Sequence, residues 1–155
     1  MTRQVAAQVH GRPALLYAPV LPNKALRRLL LDDPGTCAVL DLWGRASCAL
    51  LGVGAPPLVR QPPARVLLPR RPWLQNAVGD ICARCYDENG APLAFPGSER
   101  LLSSDLQTLR RSSTTIALAT GPEKLGSIRA GAWAGWLDQL VTDTSTKRGL
   151  LGAGS

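Results

Sequence analysis

The stretch Ile116-Ala-Leu-Ala-Thr-Gly-Pro-Glu-Lys124, continued to Asp143, decides the fold of this chain. An apolar run ends at Thr120-Gly121-Pro122, a helix-like segment follows, and a second apolar run covers Leu137 to Val141. The order strand, tight loop, helix, strand is typical of a parallel α/β sheet, in which ligands bind beyond the carboxyl ends of the strands. The free N–H groups at the start of the helix, together with Lys124, favour an anionic ligand such as a sugar phosphate. Other βαβ units share this pattern, so the loop alone does not identify the ligand.

The composition indicates one folded domain. The chain has 155 residues, of which 45% are hydrophobic and 19% charged, values typical of a globular rather than a disordered protein. No apolar run approaches the roughly 20 residues that a membrane-spanning helix needs. The first ten residues also lack the continuous apolar core of a signal peptide. We therefore expect a cytoplasmic protein without a membrane partner.

The formal charge of +7 raises the question of nucleic-acid binding. Most of that charge comes from arginine, because Lys24, Lys124 and Lys147 are the only lysines. The arginines are scattered singly or in pairs, whereas DNA-binding domains usually cluster their basic residues on one face or helix. The sequence therefore disfavours direct nucleic-acid binding by this chain.

The cysteines offer a candidate metal or redox pair, Cys82 and Cys85. The chain has no second pair at this spacing, and His10 is its only histidine, which excludes the common zinc sites built from cysteine and histidine. The alternation over residues 79–87, followed by Asn89-Gly90, predicts a strand that enters a hairpin turn. In a strand the two thiols would point to opposite faces. We therefore predict buried or half-buried thiols, and expect neither a metal nor a cofactor.

The rest of the chain alternates between helices and strands, which predicts an α/β fold with a Rossmann-like, mostly parallel sheet and one antiparallel hairpin. The further predicted strands are Ala14–Ala18, a buried strand at Cys48–Gly54 and a short strand near Arg100–Leu102. The further predicted helices are a helix end over residues 3–10, a helix from Asn23 to Leu31 with Leu26, Leu29 and Leu30 on one face, a helix starting at Asp33-Pro34, a helix capped by Ser103 or Ser104, and a last helix from Asp143 to Leu151. A proline-rich connection is predicted from Ala55 to Pro72.

Five segments occur in the order and spacing seen in a known family. They are Leu16-Tyr-Ala-Pro19, Ala46-Ser-Cys-Ala-Leu-Leu-Gly-Val-Gly54, Ala77-Val-Gly-Asp-Ile-Cys-Ala-Arg84 with Asp87 and Gly90, Ile116 to Lys124, and Leu140-Val-Thr-Asp143. Over nearly its whole length the chain resembles the sugar-binding, effector-sensing domain of SorC-type bacterial transcriptional regulators. The resemblance implies a fold similar to ribose-5-phosphate isomerase, glucosamine-6-phosphate deaminase and CoA-transferases. It also implies a phosphorylated sugar effector, a homo-oligomer, and DNA contact only through a helix-turn-helix domain.

The chain departs from the family pattern at several points. Before residue 11 the family would have the helix-turn-helix domain, a linker and the first strand, loop and helix of the effector domain. Of these, only the end of the first helix, roughly Thr2 to His10, is expected here, so residues 1–155 are expected to form one partial effector-binding domain without the Gly/Thr-rich phosphate loop. Ser47 stands where the family usually has Asp, Thr120 replaces the first Gly of a Gly-Gly loop, and Thr144 stands where an acidic residue is common.

The chain's own chemistry and the resemblance together give a candidate phosphosugar-binding set. A lysine in the first turn of a helix opposes the helix dipole unless an anion lies nearby, so Lys124 either binds an anion or faces solvent. Gly121 either permits close approach of the backbone to the ligand or only forms the turn. The full set is Lys124, Gly121, Asp80, Gly52, Gly54 and Arg65.

The resemblance assigns the remaining members of this set. It places Asp80 against the sugar hydroxyls, with a salt bridge to Arg84 on the same strand face as the alternative. Gly52 and Gly54 either approach the ligand or form a bulge. Arg65 lies near the position from which relatives supply an arginine, with a surface arginine as the alternative.

Two classes of function remain in competition. The first is a catalytically inert effector-binding domain, and the second is a phosphosugar isomerase or deaminase of the same fold. Those reactions need a general base with a supporting partner, and no such pair is evident beside Asp80. We therefore predict a protein that is not an enzyme and has no catalytic residues. Trp133 and Trp136 are predicted to pack in the core rather than to stack on a sugar.

Overall fold

The structure, a computed structural model, describes residues 2–57, 74–112 and 114–152. These residues form an α/β fold in which five strands make one sheet. The strands are β1 (Cys48–Gly54), β2 (Gly79–Ile81), β3 (Arg84–Tyr86), β4 (Thr114–Leu118) and β5 (Gln139–Val141). The helices are α1 (Thr2–Gln8), α2 (Lys24–Asp32), α3 (Pro34–Arg45), α4 (Leu106–Ser112), α5 (Leu125–Trp133) and α6 (Thr144–Gly152).

The sheet has the order β3-β2-β1-β4-β5 and contains both predicted kinds of pairing. Strands β1, β4 and β5 are parallel, with Leu50 opposite Ile116 and Ile116 opposite Gln139. Strand β2 runs antiparallel to both β1 and β3. The predicted parallel sheet with one antiparallel hairpin is therefore confirmed, and so is the strand, loop, helix, strand unit that ends in β5.

Among the residues that the structure describes, helices cover one face of the parallel strands and leave side chains of the other face exposed. Leu51, Val53 and Ala117 are buried with residues of α4 and α5, whereas Leu50, Leu118 and Val141 on the opposite face are 49%, 45% and 54% exposed. The prediction of a fully buried strand at Cys48–Gly54 is therefore wrong. The chain moves from β1 to β4 to β5 in one direction, and right-handed crossovers then bring the connecting helices to the same face.

The hairpin turns earlier than predicted. Cys82 and Ala83, with φ angles of 53° and 62°, connect β2 to β3, so residues 79–86 are two short strands rather than one. The Asp80 Oδ2 atom accepts a hydrogen bond from the Ala83 backbone N–H at 3.1 Å and holds this turn. The predicted Asn89-Gly90 turn also forms, one strand later, with the Gly90 N–H donating to the Asp87 carbonyl.

Most predicted helix starts are correct. Asn23 Oδ1 accepts from the Leu26 N–H at 2.8 Å, and Asp33 Oδ2 accepts from the Thr36 N–H at 2.6 Å, so both residues cap their helices. Helix α4 differs, because Asp105 Oδ1 rather than Ser103 or Ser104 accepts from the Thr108 N–H. The predicted last helix is α6, and the predicted N-terminal helix is α1.

Leu29 does not share a face with Leu26 and Leu30. It is 67% exposed, while Leu26, Arg27, Leu30 and Leu31 are half-buried. At about 100° per residue those four positions cover about 140° of the helix surface, and Leu29 lies outside them. The predicted common leucine face is therefore wrong.

Two predicted strands do not form. Ala14–Ala18 is irregular and pairs with no strand of the described sheet, and the flanking Pro13 and Pro19 lack the N–H groups that a ladder needs. Residues 98–100 form a short 3₁₀ turn, and residues 101 and 102 are irregular. Leu102 donates one backbone hydrogen bond to Val20, which does not make a ladder. The predicted connection from Ala55 to Pro72 lies largely outside the described residues.

Candidate functional site

The loop after β4 is held by the neighbouring strand and helix. Gly121 has φ 113° and ψ 141°, and its N–H donates to the Thr146 hydroxyl at 2.9 Å. The Thr146 N–H in turn donates to Asp143 Oδ1, and this hydrogen bond lowers the pKa of the Asp143 carboxyl. The Thr142 hydroxyl donates to the Ala119 carbonyl at 2.6 Å. The sequence Thr142-Asp143 after β5 therefore fixes the loop at the carboxyl edge of the sheet.

Lys124 lies where this loop enters α5. Residues Pro122–Lys124 form a 3₁₀ turn, and Lys124 is the N-cap residue of the helix. Its side chain is half-buried and makes no hydrogen bond or ion pair with any residue that the structure describes. A cation in this position is stabilised by an anion at the helix N-terminus. The Lys124 and Leu125 N–H groups already donate to the Gly121 and Pro122 carbonyls, so an anion there would meet the later N–H groups of the first turn.

Glu123 was not predicted from sequence, although it lies within the quoted loop. A Cβ atom built on Gly121 would lie 2.5 Å from Glu123 Oε1, so the carboxylate of Glu123 covers the α-carbon of Gly121. The Glu123 residue is exposed and can rotate away into solvent. Its negative charge opposes the binding of an anion at this loop and offsets part of the positive charge of the adjacent Lys124.

The two strand glycines have different surroundings. Gly54 ends β1 and pairs with Asp80 of β2, whereas Gly52 pairs with Leu118 on the uncovered sheet face. A Cβ atom on Gly52 would contact only the Leu118 carbonyl at 3.9 Å, an ordinary distance, so close packing does not require glycine there. Gly79 does require it, because an added Cβ atom would lie 2.6 Å from the Gly54 carbonyl oxygen. Sequence reasoning missed Gly79, whose only signal is a small residue directly before Asp80.

Asp80 and Arg84 lie on opposite faces of the hairpin. In the register of β2 and β3, Asp80 is opposite Cys85 and Arg84 is opposite Ile81, because the turn at Cys82-Ala83 lies between them. The expectation that the two residues share a face is therefore wrong. The Arg84 guanidinium donates instead to the carbonyl oxygens of Ser98 and Ser103, at 3.2 and 3.1 Å.

The five described candidate residues lie on three elements of the sheet: Gly52 and Gly54 on β1, Asp80 on β2 opposite Gly54, and Gly121 and Lys124 in the loop after β4. Asp80 lines a cavity of about 580 Å³ together with Cys48 and Ala49, the first residues of β1. Among the residues described, none of Gly52, Gly54, Gly121 and Lys124 lines that cavity. The carboxyl-edge loop therefore carries Gly121 and Lys124, and Gly54 ends the adjacent strand. Arg65 lies outside the described residues.

The two tryptophans behave differently. Trp136 is 5% exposed, and its indole Nε1–H donates to the Gly90 carbonyl at 2.9 Å, while the Arg110 guanidinium lies 6.0 Å from the ring centre. Its predicted burial is confirmed. Trp133, the last residue of α5, is 91% exposed, so its predicted burial is wrong. Gly135, with φ 74°, reverses the chain between the two residues.

Cys82 and Cys85 pack against different apolar clusters. Cys82 is half-buried against the main core, whereas Cys85 is buried with Leu74, Phe95 and Leu101. Burial raises the pKa of the Cys82 thiol. Within residues 2–57, 74–112 and 114–152, no three His, Cys, Asp or Glu side chains are grouped closely enough to hold a metal. No helix in the same ranges has the length and hydropathy needed to cross a bilayer.

Relatives of known name share this architecture. Residues 1–152 match the family model described as "Putative sugar-binding domain". The chain is 26% identical to the sorbitol operon regulator of Klebsiella pneumoniae over 156 residues, covering 97% of this chain and 50% of that protein. It is 30% identical to YjhU, an uncharacterised transcriptional regulator of Escherichia coli strain K12, over 154 residues, covering 96% and 47%. The crystal structure of the full-length sorbitol operon regulator SorC superposes with a TM-score of 0.84 at 26% identity, covering 96% of this chain and 50% of that one. The chain thus spans about half the length of the curated relatives it matches.

Proposed function

This chain belongs to the sugar-binding domain family whose model it matches over residues 1–152, and we propose that it is the effector-binding part of a transcriptional regulator whose ligand is a phosphorylated sugar. The relatives named above are regulators, which supports this function and gives no support to an isomerase or deaminase. DNA contact is assigned to the part of the longer relatives that this chain does not match. The protein is proposed to act in the cytoplasm as a homo-oligomer.

The phosphate group is proposed to bind at the carboxyl-edge loop formed by residues 120–124. The observation that carries this assignment is the half-buried Lys124 side chain at the N-terminus of α5, without an ion pair in the described structure. Strand ends at this edge of a parallel sheet are where ligands bind in open α/β folds. The first-turn N–H groups of α5 and the ammonium group of Lys124 both favour an anion.

The carboxylate of Glu123 lies where the phosphate is proposed to bind, so it must move before an anion can enter. Its carboxylate lies over Gly121, so it would face an incoming phosphate at close range. Because the residue is exposed, we expect it to swing outward when the anion binds, at an electrostatic cost. Removing the charge without changing the shape, as in Glu123→Gln, should therefore strengthen phosphosugar binding.

A thermal-shift screen tests the proposal. The purified chain is melted alone and with phosphorylated hexoses, pentoses and trioses, each beside its unphosphorylated counterpart. A ligand at 100 times its dissociation constant adds about 2.7 kcal/mol of stability, which corresponds to a rise of roughly 5–10 °C for a domain of this size. Lys124→Ala should abolish the shift, whereas the matched control Lys24→Ala, at the first residue of α2, should keep it. A phosphosugar shift that survives in Lys124→Ala would refute the assignment of the loop.

A further inference from the structure

A smaller cavity lies between the main core and the second apolar cluster, which contains Phe95. Its walls come from Arg84 at the start of β3, the segment from Pro92 to Ser98, Leu101 and the start of α4. Its volume of about 280 Å³ is close to the lower end of the range for small-molecule sites in proteins. None of the described phosphosugar candidates lines it, so it is separate from the loop at Lys124.

Most of the wall of this cavity is apolar and firmly packed. Phe95 and Leu101 are each 4% exposed and belong to the second cluster, and Leu106 is 3% exposed and belongs to the main core. Leu93 packs against the second cluster. Contact with such a wall favours a ligand with a hydrocarbon side chain, because apolar surface on both partners is removed from water.

Arg84 brings a positive charge to the cavity. Its guanidinium donates to the Ser98 and Ser103 carbonyl oxygens at 3.2 and 3.1 Å, and its Nε is buried without a hydrogen-bond partner among the described residues. In the described part of the chain no carboxylate lies within ion-pair distance of Arg84. The two carbonyls do not neutralise the guanidinium, so its charge and further N–H groups suit a carboxylate.

Asp105 brings a negative charge to the same cavity. It is exposed, and its two carboxylate oxygens accept from the Thr108 N–H and hydroxyl, both at 2.8 Å. Burial raises the pKa of Asp105, but the hydrogen bonds from Thr108 and the nearby charge of Arg84 bring that pKa below its ordinary value. The ionised carboxylate can accept more than one hydrogen bond at each oxygen, so it can also receive an ammonium group.

We infer that this cavity binds a free α-amino acid with an apolar side chain. Arg84 holds the carboxylate of the ligand and Asp105 its ammonium group, while its side chain packs against Phe95 and Leu101. A plain acid is opposed by Asp105 and a plain amine by Arg84, so the two fixed charges select a zwitterion. The site goes beyond the proposed phosphosugar function, because it needs neither a phosphate group nor Lys124.

Four probes separate the three contributions: L-leucine, isopentylamine without the carboxylate, 4-methylpentanoate without the ammonium group, and glycine without the side chain. Each is titrated into the ¹⁵N-labelled chain and followed by NMR. Leucine should shift the amide signals of Ala94, Leu101 and Gln107, and each other probe should bind at least about tenfold more weakly, the size of one charge-assisted hydrogen bond or one buried side chain. A smaller loss for any of them, or no binding of leucine up to its solubility limit, overturns the inference.

Variants then assign the two charged ends of the ligand. Asp105→Asn keeps a side-chain oxygen to cap α4, and it should weaken leucine and isopentylamine about tenfold without weakening 4-methylpentanoate. Arg84→Gln should weaken leucine and 4-methylpentanoate but not isopentylamine, with Arg84→Lys, which loses the planar fork, as the second variant if the first does not fold. Lys124→Ala is the control and should leave all affinities unchanged. Unchanged leucine binding in folded Asp105→Asn would place the ligand elsewhere and overturn the site.

Discussion

Replacing Gly90 by alanine should destabilise the fold by several kcal/mol. Gly90 has φ 76°, in the left-handed region that costs an L-residue about 1–2 kcal/mol. An added Cβ atom would overlap the Cβ atom of Ala134 and lie 2.9 Å from the Ala130 carbonyl oxygen, so overpacking adds about 1–3 kcal/mol. Moving the loop away would break the bond from Trp136 Nε1 to the Gly90 carbonyl, worth about 1 kcal/mol.

Because moving the loop relieves the overlap, the last two costs are alternatives, and the expected loss for Gly90→Ala is about 2–5 kcal/mol, with a fall in melting temperature of at least roughly 4 °C. Urea unfolding followed by circular dichroism measures the loss directly. Gly126→Ala is the matched control, because a Cβ atom there meets nothing within 4 Å and the residue lies in α5. That variant should gain about 0.5–1 kcal/mol from helix propensity. If the unfolding free energy of Gly90→Ala lies within about 1 kcal/mol of that of the parent chain, the close packing of Gly90 against Ala130 and Ala134 is refuted.

Three further predictions concern hydrogen bonds made by individual side chains. Hydrogen bonds from the backbone N–H and then the hydroxyl of Thr115 lower the pKa of Asp138 below its ordinary 3.8. The ionised carboxylate therefore stabilises the fold above pH 3.8, and this stabilisation is lost as the pH falls through the lowered pKa. Asp138→Asn should consequently make the unfolding free energy, measured from about pH 7 to about pH 2, less dependent on acid. Tyr86→Phe removes a buried bond of 3.0 Å to the Ser127 carbonyl and should cost about 1–3 kcal/mol in urea unfolding, and a loss below about 0.5 kcal/mol would contradict the contact. Asn23→Ala removes the cap of α2 and should cost about 1 kcal/mol, whereas Asn23→Asp should cost little, and equal melts of the two variants would refute the cap.

Local chemistry explains what the sequence predicted well. The unit from β4 to β5 was predictable because two apolar runs and a Thr-Gly-Pro break are signals carried by neighbouring residues. The caps at Asn23 and Asp33 were predictable for the same reason, since each side chain bonds to an amide three residues later. These elements depend little on the rest of the fold.

Tertiary context decided what the sequence missed. The turn at Cys82-Ala83 has no glycine although both residues have positive φ, and Asp80 stabilises it through a bond that composition does not reveal. One side of β1 is exposed because the connecting helices pack on the other face of the sheet. The apolar sequence of the strand is the same whichever face the helices cover, so it does not reveal the exposed side. Trp133 and Trp136 differ because Gly135 turns the chain between them.

The candidate site was predictable only in part. Lys124 and Gly121 lie in one loop, so their proximity follows from their positions in sequence. Asp80 was grouped with them by resemblance; the fold places it on β2, opposite Gly54 at the end of β1, a pairing that local sequence does not reveal. Glu123 is adjacent in sequence, but only the folded loop shows its carboxylate over Gly121.

The most direct test of the central claim is a calorimetric comparison of one sugar with and without its phosphate group, in the parent chain and in Lys124→Ala. Binding of the phosphate at the Gly121–Lys124 loop predicts that the substitution weakens the phosphorylated sugar by about tenfold or more and leaves the unphosphorylated sugar within about twofold. Glu123→Gln should shift the phosphorylated sugar alone, toward tighter binding. Equal losses for both sugars in Lys124→Ala, or no loss for either, would contradict a phosphate site at this loop.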